Sequence, residues 1–293
     1  MEKLITGLMI SLILLLICIG MLSFVWADQY KTLGIRHNSN PQICIFEPDS
    51  LYTDDVGGVL QAARNAIDLW EDGLSTLNNE YYSHLYTSRD VTPVSKGNWY
   101  MPVVVIPIEY HKYKNADEFS TCAILISFEY VNEESRSLGF TYINFSKSHH
   151  QYAHIVVFLR DIQVIEIFDW DLGNLEQKHV RTDIKIVPFS LITIQNIVTH
   201  EFGHSLGLGH YLITLGGDSV GDSPWVTRSV MYYAMNPASQ EIMIPRYVDI
   251  KMVEVLYTDD GFGGKKSIPL KTGYYNTGDD EICTFKCSIQ PRN

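Results

Sequence analysis

The longest uninterrupted apolar stretch lies at the start of the chain. From Leu4 to Ala27 no residue is charged, and only Thr6, Gly7, Ser11, Gly20 and Ser23 break the run. As a helix rising ~1.5 Å per residue, it spans ~36 Å, enough to cross a bilayer core of ~30 Å. Lys3 precedes the run, and Val25-Trp26-Ala27 offers a small-residue cleavage site before Asp28. Residues 1–27 therefore read as a signal peptide or as an N-terminal transmembrane anchor. Either way the remainder is expected to be extracytoplasmic, secreted or held to the membrane by that segment if it stays uncleaved.

Beyond the leader the hydrophobic period changes several times. Residues 42–47 read as a short strand. Val59, Ala63, Ala66, Trp70, Leu74 and Leu77 then recur at steps of three and four, which lines one face of a helix. Tyr100–Ile106, Thr121–Tyr130, Leu138–Phe145 and Ile155–Leu159 are β-branched, extended segments between turn-prone residues, the marks of strands in one sheet. Val164–Phe168 and Ile184–Val187 suggest a further hairpin, which Pro188 closes before a new helical pattern begins near Leu191. The order predicts one α+β domain over 28–260, running helix, strands, helix, loop and C-terminal helix. A tail, 261–293, follows with no assigned function.

Composition supports a packed core. Hydrophobic residues are 46%, charged residues 19% and aromatic residues 12%, which excludes a disordered or low-complexity chain. Acidic residues outnumber basic ones 34 to 22, a net charge of −12, so nothing favours a nucleic-acid partner held through phosphate contacts. Outside the leader stand Cys44, Cys122, Cys283 and Cys287, an even number suited to an oxidising compartment. Of their three pairings, Cys44–Cys122 with Cys283–Cys287 is the one expected here.

Candidate chemistry is concentrated in residues 200–210, His-Glu-Phe-Gly-His-Ser-Leu-Gly-Leu-Gly-His. On a helix, His200 and His204 project from one face about one turn apart, so both rings can bind one ion. Glu201 is rotated by ~100°, too far to ligate easily but near enough to reach a water at the metal. Gly207 permits a left-handed turn that ends the helix and brings His210 back as a third nitrogen ligand. Three protein nitrogens with an open fourth position describe a catalytic zinc site, since structural sites are closed.

This window resembles the metzincin zinc metallopeptidases, whose signature is H-E-x-x-H-x-x-G-x-x-H followed by a methionine-containing turn. Ser229-Val230-Met231-Tyr232-Tyr233 is similar to that turn in its astacin and serralysin form. The resemblance implies a twisted, mostly parallel sheet with an antiparallel edge strand near Leu138–Asn144. It implies Met231 as an apolar floor under the ligands and Tyr233 as a group that stabilises the developing oxyanion. It further implies an extended peptide or protein substrate pairing antiparallel with the edge strand, with Glu201 moving the proton. The stretch Pro245–Ile250 through Leu256-Tyr257 looks most like the C-terminal helix of matrixins. The latency cysteine of matrixins has only a faint echo in Pro41–Asp49, where Cys44 reads as a strand and disulfide residue.

Other clusters have plainer readings. His149, His150 and His154 read as exposed loop histidines rather than a second zinc site. Asp171, Asp183, Asp218 and Asp222 read as turn residues rather than a structural Ca2+ site. Two rival functions share the histidine spacing: a three-histidine endoribonuclease, and a catalytically inactive binding module on the same scaffold. Glu201, the leader and the charge of −12 argue against the first, and the intact Glu201 with three histidines against the second.

Overall fold

Ile43–Phe46, buried along its whole length, forms β1 in the middle of a parallel array. A computed structural model of the chain describes residues 36–85, 98–113, 121–131, 137–146, 149–171, 176–210, 229–232, 234–257, 261–262 and 280–289. β2 (Val103–Ile106) and β3 (Ile124–Glu129) flank β1 in parallel, and β5 (His149–Phe158) continues the parallel run beside β3. Parallel neighbours need a crossover between them. Between β1 and β2 that crossover includes α1 (Val56–Leu85), whose first turn Asp55 caps by accepting from Gly58 N at 2.8 Å. Val59, Ala63, Ala66, Trp70 and Leu74 are all buried, the face that the three-four spacing predicts, while Leu77 is a residue whose side chain lies outside the description.

Two further helices complete this side of the sheet. α2 (Leu191–Ser205) packs on α1 and on the sheet, and Trp70 Nε1 donates to the Thr199 carbonyl at 2.9 Å. α3 (Tyr247–Tyr257) packs on α1. On the opposite face Cys44, Phe46, Cys122 and Leu125 form a separate small cluster, in which Cys44 and Cys122 are joined by a disulfide.

Several segments differ from their sequence expectation. β2 begins at Val103 rather than at Tyr100, because Pro102 has no N–H to give a ladder. The expected hairpin is longer: β6 (Arg160–Asp171) and β7 (Glu176–Pro188) pair antiparallel as a sheet of their own. His149, His150 and His154 lie within β5 and not in a loop, and His154 Nε2 is 2.7 Å from Ser127 Oγ. Asp183 pairs with Arg181 at 3.2 Å, Asp171 ends β6, and Asp218 and Asp222 lie outside the described residues. Residues 1–27 also lie outside them; among the described residues no helix is long and apolar enough to cross a membrane.

The largest difference concerns the edge of the main sheet. β4 (Ser137–Ser146) is antiparallel to β5, but it is not the edge. Its outer side pairs antiparallel with β9 (Asp280–Ile289), and β8 (Ala234–Met235) pairs in parallel with β9, giving the order β2-β1-β3-β5-β4-β9-β8. A strand signal was present: Cys283, Phe285, Cys287 and Ile289 alternate with Thr284, Lys286 and Ser288. Cys283 and Cys287, the second expected pair, both lie on β9, and their side chains lie outside the description.

Candidate metal centre

α2 begins at Ser190, whose Oγ accepts from Thr193 N at 3.1 Å, and from Thr193 to Ser205 every residue is buried. A helix buried on all sides must satisfy its polar groups internally. Asn196 does so by donating to the Glu241 carbonyl at 2.8 Å and accepting from Met243 N at 2.7 Å. The helix ends in a Schellman arrangement: Leu208 N donates to the Gly203 carbonyl at 3.1 Å and Gly207 N to the His204 carbonyl at 2.9 Å. Gly207 has φ 97°, a left-handed conformation that costs a side-chain-bearing residue energy. This reversal returns His210 toward the two helical histidines.

The three rings meet through one kind of atom. His210 Nε2 lies 3.1 Å from His200 Nε2 and 3.1 Å from His204 Nε2. His200 Nδ1 is 2.6 Å from the Val230 carbonyl, and His204 Nδ1 is 2.8 Å from the Leu208 carbonyl. A carbonyl oxygen only accepts, so each Nδ1 carries the proton and each Nε2 presents a lone pair. Burial, with the neighbouring His210, pushes His200 down to about 3; burial and both neighbours hold His204 well below its usual range. Burial brings His210 down to about 4. At neutral pH the cluster is therefore three neutral imidazoles, with the Nε2 lone pairs of His200 and His204 both turned toward His210 Nε2, an arrangement that a cation stabilises.

The donor set fits a metal ion. His200, His204 and His210 form a group able to hold one, with ligand atoms within 4.8 Å of one another. Nitrogen ligands at ~2.05 Å in a tetrahedron stand ~3.3 Å apart, close to the spacing found here. Imidazole suits zinc, copper, iron and nickel rather than calcium or magnesium. The backbone carbonyls that fix the Nδ1 protons supply the outer support that such ligands usually have.

Glu201 is buried outside this nitrogen cluster. Thr141 Oγ1, on β4, lies 2.6 Å from Glu201 Oε2 and 3.1 Å from the Glu201 carbonyl. Gly139, two residues earlier, lets the strand approach: a β-carbon there would sit 3.4 Å from Glu201 Cγ and 2.8 Å from Ile197 Cγ2. Neither Thr141 nor Gly139 stood out in the sequence, because nothing local marks which strand residue will face a helix carboxylate.

The turn at 229–232 supports the histidines from below. Ser229 Oγ donates to Asp249 Oδ1 at 2.5 Å and accepts from Met231 N at 3.0 Å, while Asp249 Oδ2 accepts from Val230 N at 3.3 Å and Arg246 N at 2.8 Å. The Val230 carbonyl is the group that orients His200. Asp249 thus holds the turn that fixes a ligand, and burial pushes its carboxyl up to about 6. Met231 is buried against α2, and a β-carbon on Gly203 would overlap Met231 Sδ and lie 2.9 Å from Trp70 Cζ2. Tyr233 and residues 211–228 lie outside the described residues.

That packing decides the sign of one substitution. Gly→Ala inside a helix ordinarily gains about 1 kcal/mol. Gly203→Ala should instead destabilise by about 2–4 kcal/mol, because the methyl group enters space filled by the sulfur and the indole. Denaturant midpoints would measure this, and Met231→Ala should cost less in the Gly203→Ala background than alone. A stabilised Gly203→Ala would contradict the packing.

A second link ties the helix end to the start of the described chain. His37 Nε2 lies 2.9 Å from the Ser205 carbonyl, and His37 N donates to Tyr257 Oη at 3.1 Å. Burial lowers His37 from 6.5 to about 4, so the folded state keeps it neutral where the unfolded chain protonates it. Its contribution is complete above pH 6.5 and disappears as pH falls to about 4, about 3 kcal/mol in all. Urea midpoints at pH 7.5 and 4.5, with chelator present, should show a shallower acid loss for His37→Gln, by about 2–3 kcal/mol. Equal losses would remove His37 as the acid-sensitive link.

Fold and site together define an α+β protein with a buried three-histidine centre able to hold a metal ion. No protein-family model matches the chain, and a comparison with curated proteins gave no match.

Proposed function

We propose that the chain is an exported zinc-dependent endopeptidase of the metzincin kind. The observation that carries the reading is the meeting of His210 Nε2 with the Nε2 atoms of His200 and His204, at 3.1 Å from each, with Glu201 buried beside them on the same helix. Zinc, when bound, supplies a Lewis acid that polarises the scissile carbonyl and makes water a usable nucleophile near neutral pH.

The chain's own residues supply the rest. Val230 and Leu208 carbonyls keep the ring protons of His200 and His204 on Nδ1, so that each Nε2 presents its lone pair. Glu201 accepts the proton of the attacking water and returns it to the leaving amine, the general acid–base role, and Thr141 orients its carboxylate. Tyr233 is proposed, from the resemblance alone, to help stabilise the oxyanion. The buried Cys44–Cys122 disulfide supports export, because an oxidising compartment sustains such bonds.

The test is digestion of an unstructured protein and a random peptide library by the chain loaded with one equivalent of zinc. Cleavage that stops on chelation and returns with zinc is the expected result. A chain that binds zinc but cleaves nothing, with β9 paired or unpaired, would overturn the reading.

A further inference from the structure

β4 has two edges, and both are taken. One bonds to β5; the other, which faces away from the parallel array, bonds to β9 from Ser137 to Ser146. This is the strand that touches the catalytic helix, through Thr141 and Gly139 at Glu201. In register, Thr141 stands opposite Phe285 and Gly139 opposite Cys287, so the backbone of Phe285–Cys287 runs beside the part of β4 that contacts Glu201. On its far side β9 pairs with Ala234 and Met235, which follow within a few residues the turn that orients His200. β9 also approaches α2 itself.

We infer that Asp280–Ile289 occupies, within its own molecule, the backbone-pairing track along β4 that a peptide would need, and that it must leave β4 before a peptide can enter. The inference rests on the peptidase reading for its consequence, though the occupancy itself does not need it. Strand addition draws its affinity from main-chain hydrogen bonds, so it is largely blind to sequence. A strand tethered to the same chain competes at an effective concentration on the order of millimolar. With a strand-pairing Kd of about 10–100 μM, that effective concentration would weaken peptide binding by a factor of about 10–100. Latency by an N-terminal cysteine is not open to Cys44, which is committed to the disulfide with Cys122.

The experiment uses the full chain carrying Thr284→Pro and Phe285→Pro. Adjacent residues of a strand send their N–H groups to opposite sides, so one of the two prolines removes a bond to β4 whatever the phase. Amide exchange across residues 139–145 and binding of a labelled 280–290 peptide (cysteines replaced by serine) are read without metal. Cleavage is read with zinc. The variant should exchange faster, bind the peptide at least tenfold more tightly than the unmodified chain, and cleave at least tenfold faster. As a complement that does not loosen the fold, Tyr142→Cys with Thr284→Cys crosslinks two directly opposed positions and should lower peptide binding below that of the unmodified chain. Equal peptide binding by the unmodified, proline and crosslinked chains overturns the inference. A proline variant that binds peptide but cleaves nothing supports the occupancy and instead removes the peptidase reading.

Discussion

Glu201→Gln is expected to leave metal uptake intact while lowering peptide hydrolysis by about 10²–10⁴-fold, the range for removing a positioned general acid–base. The amide has the shape of the carboxylate and still accepts from Thr141, so the buried packing around the side chain is kept. What it loses is the ability to take a proton from water. The site is well suited to show the separation, because Glu201 is not one of the three residues whose ligand atoms converge. The measurement pairs zinc stoichiometry with kcat/KM on one peptide substrate, preferably in the background with β9 unpaired. A parallel fall in metal binding would mean that Glu201 holds the ion rather than the proton. Undiminished turnover would assign the base elsewhere. Thr141→Val gives a finer reading: as a positioning residue, Thr141 should matter less, its loss lowering kcat by about tenfold with KM unchanged.

How far the sequence could be read depended on the range of the information involved. The histidine spacing and Gly207 lie within one helix and its terminating turn, so covalent geometry brings the ligands together almost unaided. The helical face from Val59 to Leu74 was readable for the same reason. Asp249 was not, because a carboxylate in the first turn of a helix usually faces water; its burial beneath Ser229 is visible only once α3 is packed. Thr141 belongs to the same class, since strand alternation gives its face but not the helix residue it will meet. The pairing of β9 was hidden for a further reason. Its alternation marks a strand, yet main-chain ladders carry little side-chain information about which edge will be joined. The tail expected over 261–293, with no assigned function, holds the last strand of the sheet, Asp280–Ile289.

Zinc at about a thousandfold excess over its Kd should raise the folding stability by about 4 kcal/mol, because it binds a site that exists only in the folded chain. The folded state without the ion matters as much here as the loaded one. His210 Nε2 lies 3.1 Å from two Nε2 lone pairs and can donate to at most one of them, and burial prevents relief by protonation. A cation removes that conflict without first displacing a proton. Any one of His200→Ala, His204→Ala or His210→Ala should reduce the increment to below about 1 kcal/mol, since two nitrogens bind far more weakly than three. Glu201→Gln should keep the full increment, which separates ligation from proton transfer without any assay of cleavage. Among the three histidines, His210 gives the cleanest result: it lies beyond the helix and is the least buried, so its removal should alter metal-free stability the least while abolishing the zinc increment. Chemical denaturation with zinc and with chelator measures both quantities on one sample. An increment that survives in His210→Ala would place the ion elsewhere and detach the catalytic proposal from this centre.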